Sequence, residues 1–137
     1  MDTRQLDVFF YGLFMDQEFL IAKGVQPTNI RRASVRDFVL RIGERAALVR
    51  EHSGRVYGVV MSLSHNELDK LYSEPSLRAY RPEAVLADMS NGEVIAALCY
   101  NLPEPPSRED RNADYASKLR SVAQKIGLPA DYVASIR

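Results

Sequence analysis

Glu74 stands between Ser73 and Pro75, just past a stretch of helical spacing and ahead of a strand-like run. A carboxylate on such a junction can point into a cleft beside apolar walls, where desolvation would make it a usable general base. A solvated loop acid is the competing reading of the same residue. Glu67 and Asp69 are weaker candidates, because a helix cap uses the first and solvent faces the second.

The second chemical feature is Tyr11-Gly12-Leu13-Phe14-Met15, where an apolar strand gives way to a helix. A glycine at that junction permits positive φ and lets a ligand approach the backbone closely. The amides that follow it, at a helix start, could donate to a carboxylate or an oxyanion. An ordinary strand-to-helix turn would look the same in sequence.

Other chemistries lose support. His52 and His65 have no partner at ligand spacing, and the chain holds one cysteine, so a zinc site is not indicated. No G-x-S-x-G, P-loop or G-x-G-x-x-G occurs, which argues against acyl-serine chemistry, nucleoside triphosphates and dinucleotides. Cys99 lies inside the apolar run Val94 to Cys99 and reads as a buried, inert thiol of a reducing compartment. No cofactor is called for.

The elements that must position these residues follow from the pattern. Leu6 to Tyr11 is short, apolar and aromatic, which suits a strand. Gly12 ends it, and Met15-Asp16-Gln17-Glu18 starts a helix that runs to about Lys23 and stops at Gly24. Pro27 to Arg31 reads as a connector. Strands are expected over 33–42, 46–50 and 55–63, with Ser53-Gly54 as a turn between the last two. Ser64-His65-Asn66-Glu67 has the form of a capping box, and the helix it opens must stop before Pro75. Tyr80 to Ala87 and Val94 to Tyr100 are strands joined by the Ser90-Asn91-Gly92 hairpin turn. Pro82 places the first of them at an edge, and the apolar residues on both faces of the second predict that it is covered on both sides. Leu102 to Ser107 is a stiff proline-rich connector. Tyr115, Leu119, Val122 and Ile126 recur at helical spacing up to Gly127, and Pro129 opens a last short helix.

Strands clustered in the middle, with helices inserted and appended, predict an α+β fold: a mixed sheet curled toward a barrel, with peripheral helices. The 137 residues suit a single domain over 1–137, with C-terminal helices from about 108 to 137 packed on it. Basic and acidic side chains balance at 18 each, which implies no nucleic-acid-binding field. The pairs Arg31-Arg32 and Arg36 with Arg41 read as a solvated strand face. No apolar run approaches the roughly 20 residues that span a bilayer, and Met-Asp-Thr-Arg followed directly by a strand is unlike a secretory leader. A cytoplasmic protein that binds neither membrane nor nucleic acid is the expectation.

Val8-Phe9-Phe10-Tyr11-Gly12, Arg55-Val-Tyr-Gly-Val-Val60, the helix Leu68-Asp-Lys-Leu71 leading to Glu74, Tyr80-Arg81 and the strand Val94 to Tyr100 together resemble the γ-glutamylcyclotransferase-like (AIG2-like) family. The tail from Asp114-Tyr115 through Gly127-Leu-Pro129 to Tyr132-Val133 is similar to family members as well. The resemblance implies a mixed barrel with helices outside and a cavity bounded by the Tyr-Gly loop and the glutamate. It further implies an enzyme that cyclises a small-molecule γ-glutamyl amine or peptide to 5-oxoproline, releasing the amine without metal or cofactor. Glu74 would be catalytic, Tyr11, Gly12, Leu13 and Phe14 would bind substrate, and Tyr80 and Tyr100 would support the pocket. Leu13 replaces the family's usual Ser or Thr, Phe14 replaces a smaller aliphatic residue, and Pro75 replaces a common glycine. Leu13 and Phe14 favour an alternative, a non-catalytic pocket of the same fold for a small metabolite or peptide end.

Overall fold

Strand β1 (Gln5–Phe10) carries Val8, Phe9 and Phe10 into the core, and it is held on both sides. One side pairs antiparallel with β3 (Ala46–Ser64), from Gln5 opposite Ser64 to Phe10 opposite Val59. The other meets β5 (Val94–Asn101) in parallel, Val8 opposite Leu98, and that pairing closes the barrel. With β2 (Thr28–Ile42) and β4 (Arg81–Met89), the strand order around the barrel is β1-β3-β2-β4-β5. The structure is a computed structural model that describes residues 4–137. Met1, Asp2 and Thr3, part of the stretch weighed against a leader, lie outside the described residues. The strands expected around 6–11, 55–63, 80–87 and 94–100 share this one sheet.

Strands β2 and β3 form one long hairpin, and here the structure departs from the sequence expectation. Instead of two strands split at Ser53-Gly54, β3 is continuous from Ala46 to Ser64. The turn signal arises from a bulge: the register shifts between Arg36 and Phe38, and Asp37 and Ser53 both take φ 68°. Such a bulge bends and twists a long strand so that it can wrap a barrel. The expected connector 27–31 is also largely strand, since Thr28 already stands opposite Ser62.

Strand β5 is not covered on both faces. Ala97 and Cys99 are buried toward the barrel interior, whereas Val94 is half-exposed and Ala96 faces solvent. Small apolar residues on the outer face imitate a central strand in sequence, and the closed barrel leaves part of that face open. Pro82 behaves as an edge residue: it sits opposite Tyr100, while β2 reaches β4 only at Asp88 and Met89.

The helices serve the pocket end. After β1, a 3-10 turn (Leu13–Met15) precedes α1 (Gln17–Ala22), and the Asp16 carboxylate caps α1 by accepting from the Glu18 amide at 3.1 Å. The expected single helix from Met15 to Lys23 is therefore divided at Asp16. The Ser64–Glu67 capping box is present and opens α2 (His65–Leu71). Pro75 then starts a second 3-10 turn (Pro75–Leu77) whose N-cap is Glu74. In the C-terminal segment, Asn112 caps α3 (Ala113–Ile126) by accepting from the Tyr115 amide at 3.0 Å, and α4 (Ala130–Ser135) follows. Ala116, Leu119 and Ala123 of α3 join the same apolar core as β1 and β3.

Candidate functional site

Every residue singled out in sequence as a site residue lines one pocket at the end of β1. Tyr11, Gly12, Leu13, Phe14, Glu74, Tyr80 and Tyr100 all border this one cavity, which opens to solvent. Lys23, Arg45, Tyr72 and Tyr115 border it too and were not read as site residues.

The floor is aromatic. Tyr72 lies flat on Tyr100, with ring centres 4.0 Å apart and planes 11° from parallel. Phe14 meets Tyr72 edge-on at 5.7 Å, and Tyr80 tilts against it at 6.1 Å. Such contacts stiffen the wall as well as burying area. Tyr11 closes the barrel end by donating its hydroxyl to the Tyr100 carbonyl at 2.9 Å, and the Tyr80 hydroxyl donates to the Ala46 carbonyl. Burial pushes the Tyr11 and Tyr72 hydroxyls well above the ordinary tyrosine range, and Tyr80 likewise, with smaller contributions from neighbouring groups. The Tyr100 hydroxyl is raised by burial and by Asp69. At neutral pH these groups are therefore donors and not bases.

Gly12 has a different job from the one its type suggests. Its φ is −111°, so no left-handed conformation is involved. The requirement is space: a Cβ at position 12 would lie 2.8 Å from the Tyr115 hydroxyl. Tyr115, brought in by the cap of α3, fills part of the room beside the Gly12 turn that the sequence reading left for a ligand. Burial raises the Tyr115 hydroxyl, while the Leu13 amide, the Arg45 guanidinium and the Ala46 amide oppose that rise. The Gly12 carbonyl itself accepts from the Met15 amide at 3.0 Å.

Glu74 stands at the mouth, not in a buried recess. Its side chain is 43% exposed and forms an ion pair with the Lys23 ammonium. Lys23 follows α1 directly and also lies 5.0 Å from the centre of the Phe19 ring. The expectation of a desolvated acid is corrected on this point: the Pro75 turn directs Glu74 to the rim, where Lys23 reaches it. Arg45 is the second cation of the pocket; it leaves the bend between β2 and β3 and donates to Ser76 Oγ at 3.0 Å.

Among the described residues no group of three or more His, Cys, Asp or Glu side chains is gathered as metal ligands. Cys99 is fully buried, and burial with Glu83 pushes its thiol far up, so it is not a nucleophile. No helix is long and apolar enough to cross a membrane among the described residues.

The residues missed by sequence reasoning had weak signals. Tyr72 and Tyr115 continue the helical spacing of Leu68-Leu71 and of Leu119-Val122, which reads as core packing. Lys23 and Arg45 are isolated basic residues at element ends, and only the tertiary fold brings them to the pocket.

The arrangement has known counterparts. Residues 8–118 match the family model described as "Gamma-glutamyl cyclotransferase, AIG2-like". A solved structure titled "Gamma-glutamyl cyclotransferase" is similar at TM-score 0.77 and 20% identity, covering 97% of this chain and 88% of its own. YkqA from Bacillus subtilis is similar at TM-score 0.77 and 19% identity, with 95% of this chain and 52% of that one covered. An AIG2-like protein from Mus musculus is similar at TM-score 0.58 and 16% identity, with 81% and 90% covered. No curated protein matches in sequence. At these identities the structures establish a shared fold, and the family model spans most of the chain. With the closed barrel and a pocket at the Tyr11-Gly12 turn, this chain belongs to the gamma-glutamyl cyclotransferase, AIG2-like family.

Proposed function

We propose that the chain is a γ-glutamyl cyclotransferase-type enzyme that releases an amine from a γ-glutamyl compound as 5-oxoproline forms, with Glu74 as the proton carrier. The observation that supports this most is that a carboxylate and the Gly12 turn share one pocket with an open mouth. The substrate's α-ammonium gives a proton to the Glu74 carboxylate. The freed nitrogen attacks the γ-carbonyl carbon and forms the ring C–N bond. The proton held by Glu74 passes to the leaving nitrogen as its bond to that carbon breaks, and the ring nitrogen gives its surplus proton to the freed carboxylate, which hands it to the released amine. Because the attack is intramolecular even in solution, holding the glutamyl chain folded back contributes only the freezing of its few rotatable bonds, a few kcal/mol.

Lys23 has a defined part in this scheme. Its ammonium sits on Glu74 where the substrate ammonium must arrive, so binding exchanges one cation for another.

A second reading follows from the same pair. Glu74 is already neutralised by Lys23, and the floor is built of aromatic rings. Both facts suit a pocket that binds a small metabolite or peptide end without turnover. Assay of 5-oxoproline release from a panel of γ-glutamyl amino acids and γ-glutamyl amines separates the two. Release from any member supports the enzyme. A panel that binds but is not consumed supports the binding pocket.

A further inference from the structure

Arg45 is the charged residue of the pocket that the scheme above leaves without a task. Its backbone is fixed: the Gly43 amide donates to the Arg45 carbonyl at 3.0 Å, and Asn112 donates to the Gly43 carbonyl at 3.1 Å. A Cβ at Gly43 would lie 2.7 Å from Pro106, so the proline-rich connector packs directly on this bend. The side chain is partly exposed, and its guanidinium donates to a neutral hydroxyl, Ser76 Oγ. Among the described residues, no carboxylate lies within ion-pair distance of it, whereas Lys23 is matched by Glu74. A guanidinium at the pocket wall without a counter-charge favours an incoming anion.

Its location defines which part of a ligand it meets. Arg45 and Tyr80 border both the tyrosine pocket and the neighbouring cleft that runs toward Arg81 and Pro103. Ser76, its partner, lies in the 3-10 turn that Glu74 caps. A group bound at Arg45 therefore lies where the pocket meets the neighbouring cleft, beside the turn that carries Glu74. That cleft also carries Glu44, Glu104 and Asp110 against Arg81, so its charge beyond Arg45 is mainly acidic.

Resting on the cyclotransferase reading of the pocket, we infer that Arg45 is its specificity residue and pairs with a carboxylate on the amine portion of the ligand. The preferred compounds are then γ-glutamyl amides whose amine carries a carboxylate separated from the nitrogen by one or two carbons, over γ-glutamyl amides of plain alkylamines.

The test compares γ-glutamylglycine with γ-glutamylethylamide, which has nearly the same length and lacks the second carboxylate. Dissociation constants are measured by calorimetry or by competition, and kcat/KM wherever turnover occurs, on wild type, Arg45→Gln and Arg45→Lys. Wild type should favour γ-glutamylglycine by about 10-fold or more, the usual weight of a charge-assisted pair. Arg45→Gln should bring the ratio close to one by weakening γ-glutamylglycine alone. Arg45→Lys should keep part of the preference. The inference is overturned if wild type binds neither compound or does not discriminate, if Arg45→Gln leaves the ratio unchanged, or if it weakens both compounds equally, as loss of a structural arginine would. Binding with the expected ratio but without 5-oxoproline would uphold Arg45 and reject the cyclisation.

Discussion

Lys23 and Glu74, 51 residues apart in sequence, meet as an ion pair across the mouth of the pocket. The pair ties the end of α1 to the turn that carries Glu74. Both side chains keep substantial solvent contact, at 24% and 43% exposure, so the pair contributes little to folding. Exposed pairs are worth about 1 kcal/mol or less. Lys23→Met should therefore lower the unfolding free energy from denaturant titration by no more than that amount. A loss above about 2 kcal/mol would mean the pair is a buried structural element and not a mobile rim contact.

Gly58 carries a sharper stability prediction. It lies in β3 beneath β1, and a Cβ there would come within 2.1 Å of the Phe10 carbonyl oxygen. Backbone in a paired strand cannot move away cheaply. Gly58→Ala should cost about 3 kcal/mol or prevent folding, read by chemical denaturation. A variant as stable as wild type would contradict the close β1–β3 approach.

Gly12 and Tyr115 are predicted to be coupled. Gly12→Ala should lower stability or ligand affinity by pushing on the Tyr115 hydroxyl, and Tyr115→Phe in the same chain should recover part of the loss. A double-mutant cycle measures this, with a coupling of roughly 1 kcal/mol expected for residues in direct contact. Additive losses would indicate that Gly12 is required for another reason.

The tyrosines and Cys99 predict alkaline behaviour. Six of the seven tyrosine hydroxyls are raised above the ordinary tyrosine range, and the Cys99 thiol above the ordinary thiol range, chiefly by burial. Because the folded values exceed the unfolded ones, their contribution to stability is complete below the unfolded values. It is lost as pH rises through the folded ones. Stability should begin to fall above about pH 9 and keep falling as pH rises further, and the absorbance of the buried tyrosinates should rise with unfolding and not before it. Tyrosines that titrate near their ordinary value while the fold persists would refute this, as would rapid labelling of Cys99 by a thiol reagent in the native protein.

Much of the frame was legible because it rests on local chemistry. The Ser64–Glu67 box, the Asn91-Gly92 turn and the apolar strands each declare themselves within a few residues, and the resemblance linked them into a barrel. The bulge near Asp37 and Ser53 was not legible, since a turn and a bulge both call for positive φ. In the site, the Gly12 turn and Glu74 were found from residue type and family likeness. The burial assigned to Glu74 was wrong because it depends on Lys23, which no local pattern connects to position 74. Tyr72 and Tyr115 were hidden by their helical spacing, which packing and pocket lining share.

Glu74→Gln, assayed for 5-oxoproline release from the best substrate of the panel, tests the central assignment most directly. The substitution keeps the volume and removes the proton acceptor. Because the side chain is at the rim, the melting temperature should change little, while kcat falls by roughly 100-fold or more. Turnover retained within a few-fold in a fully folded Glu74→Gln protein would contradict Glu74 as the proton carrier.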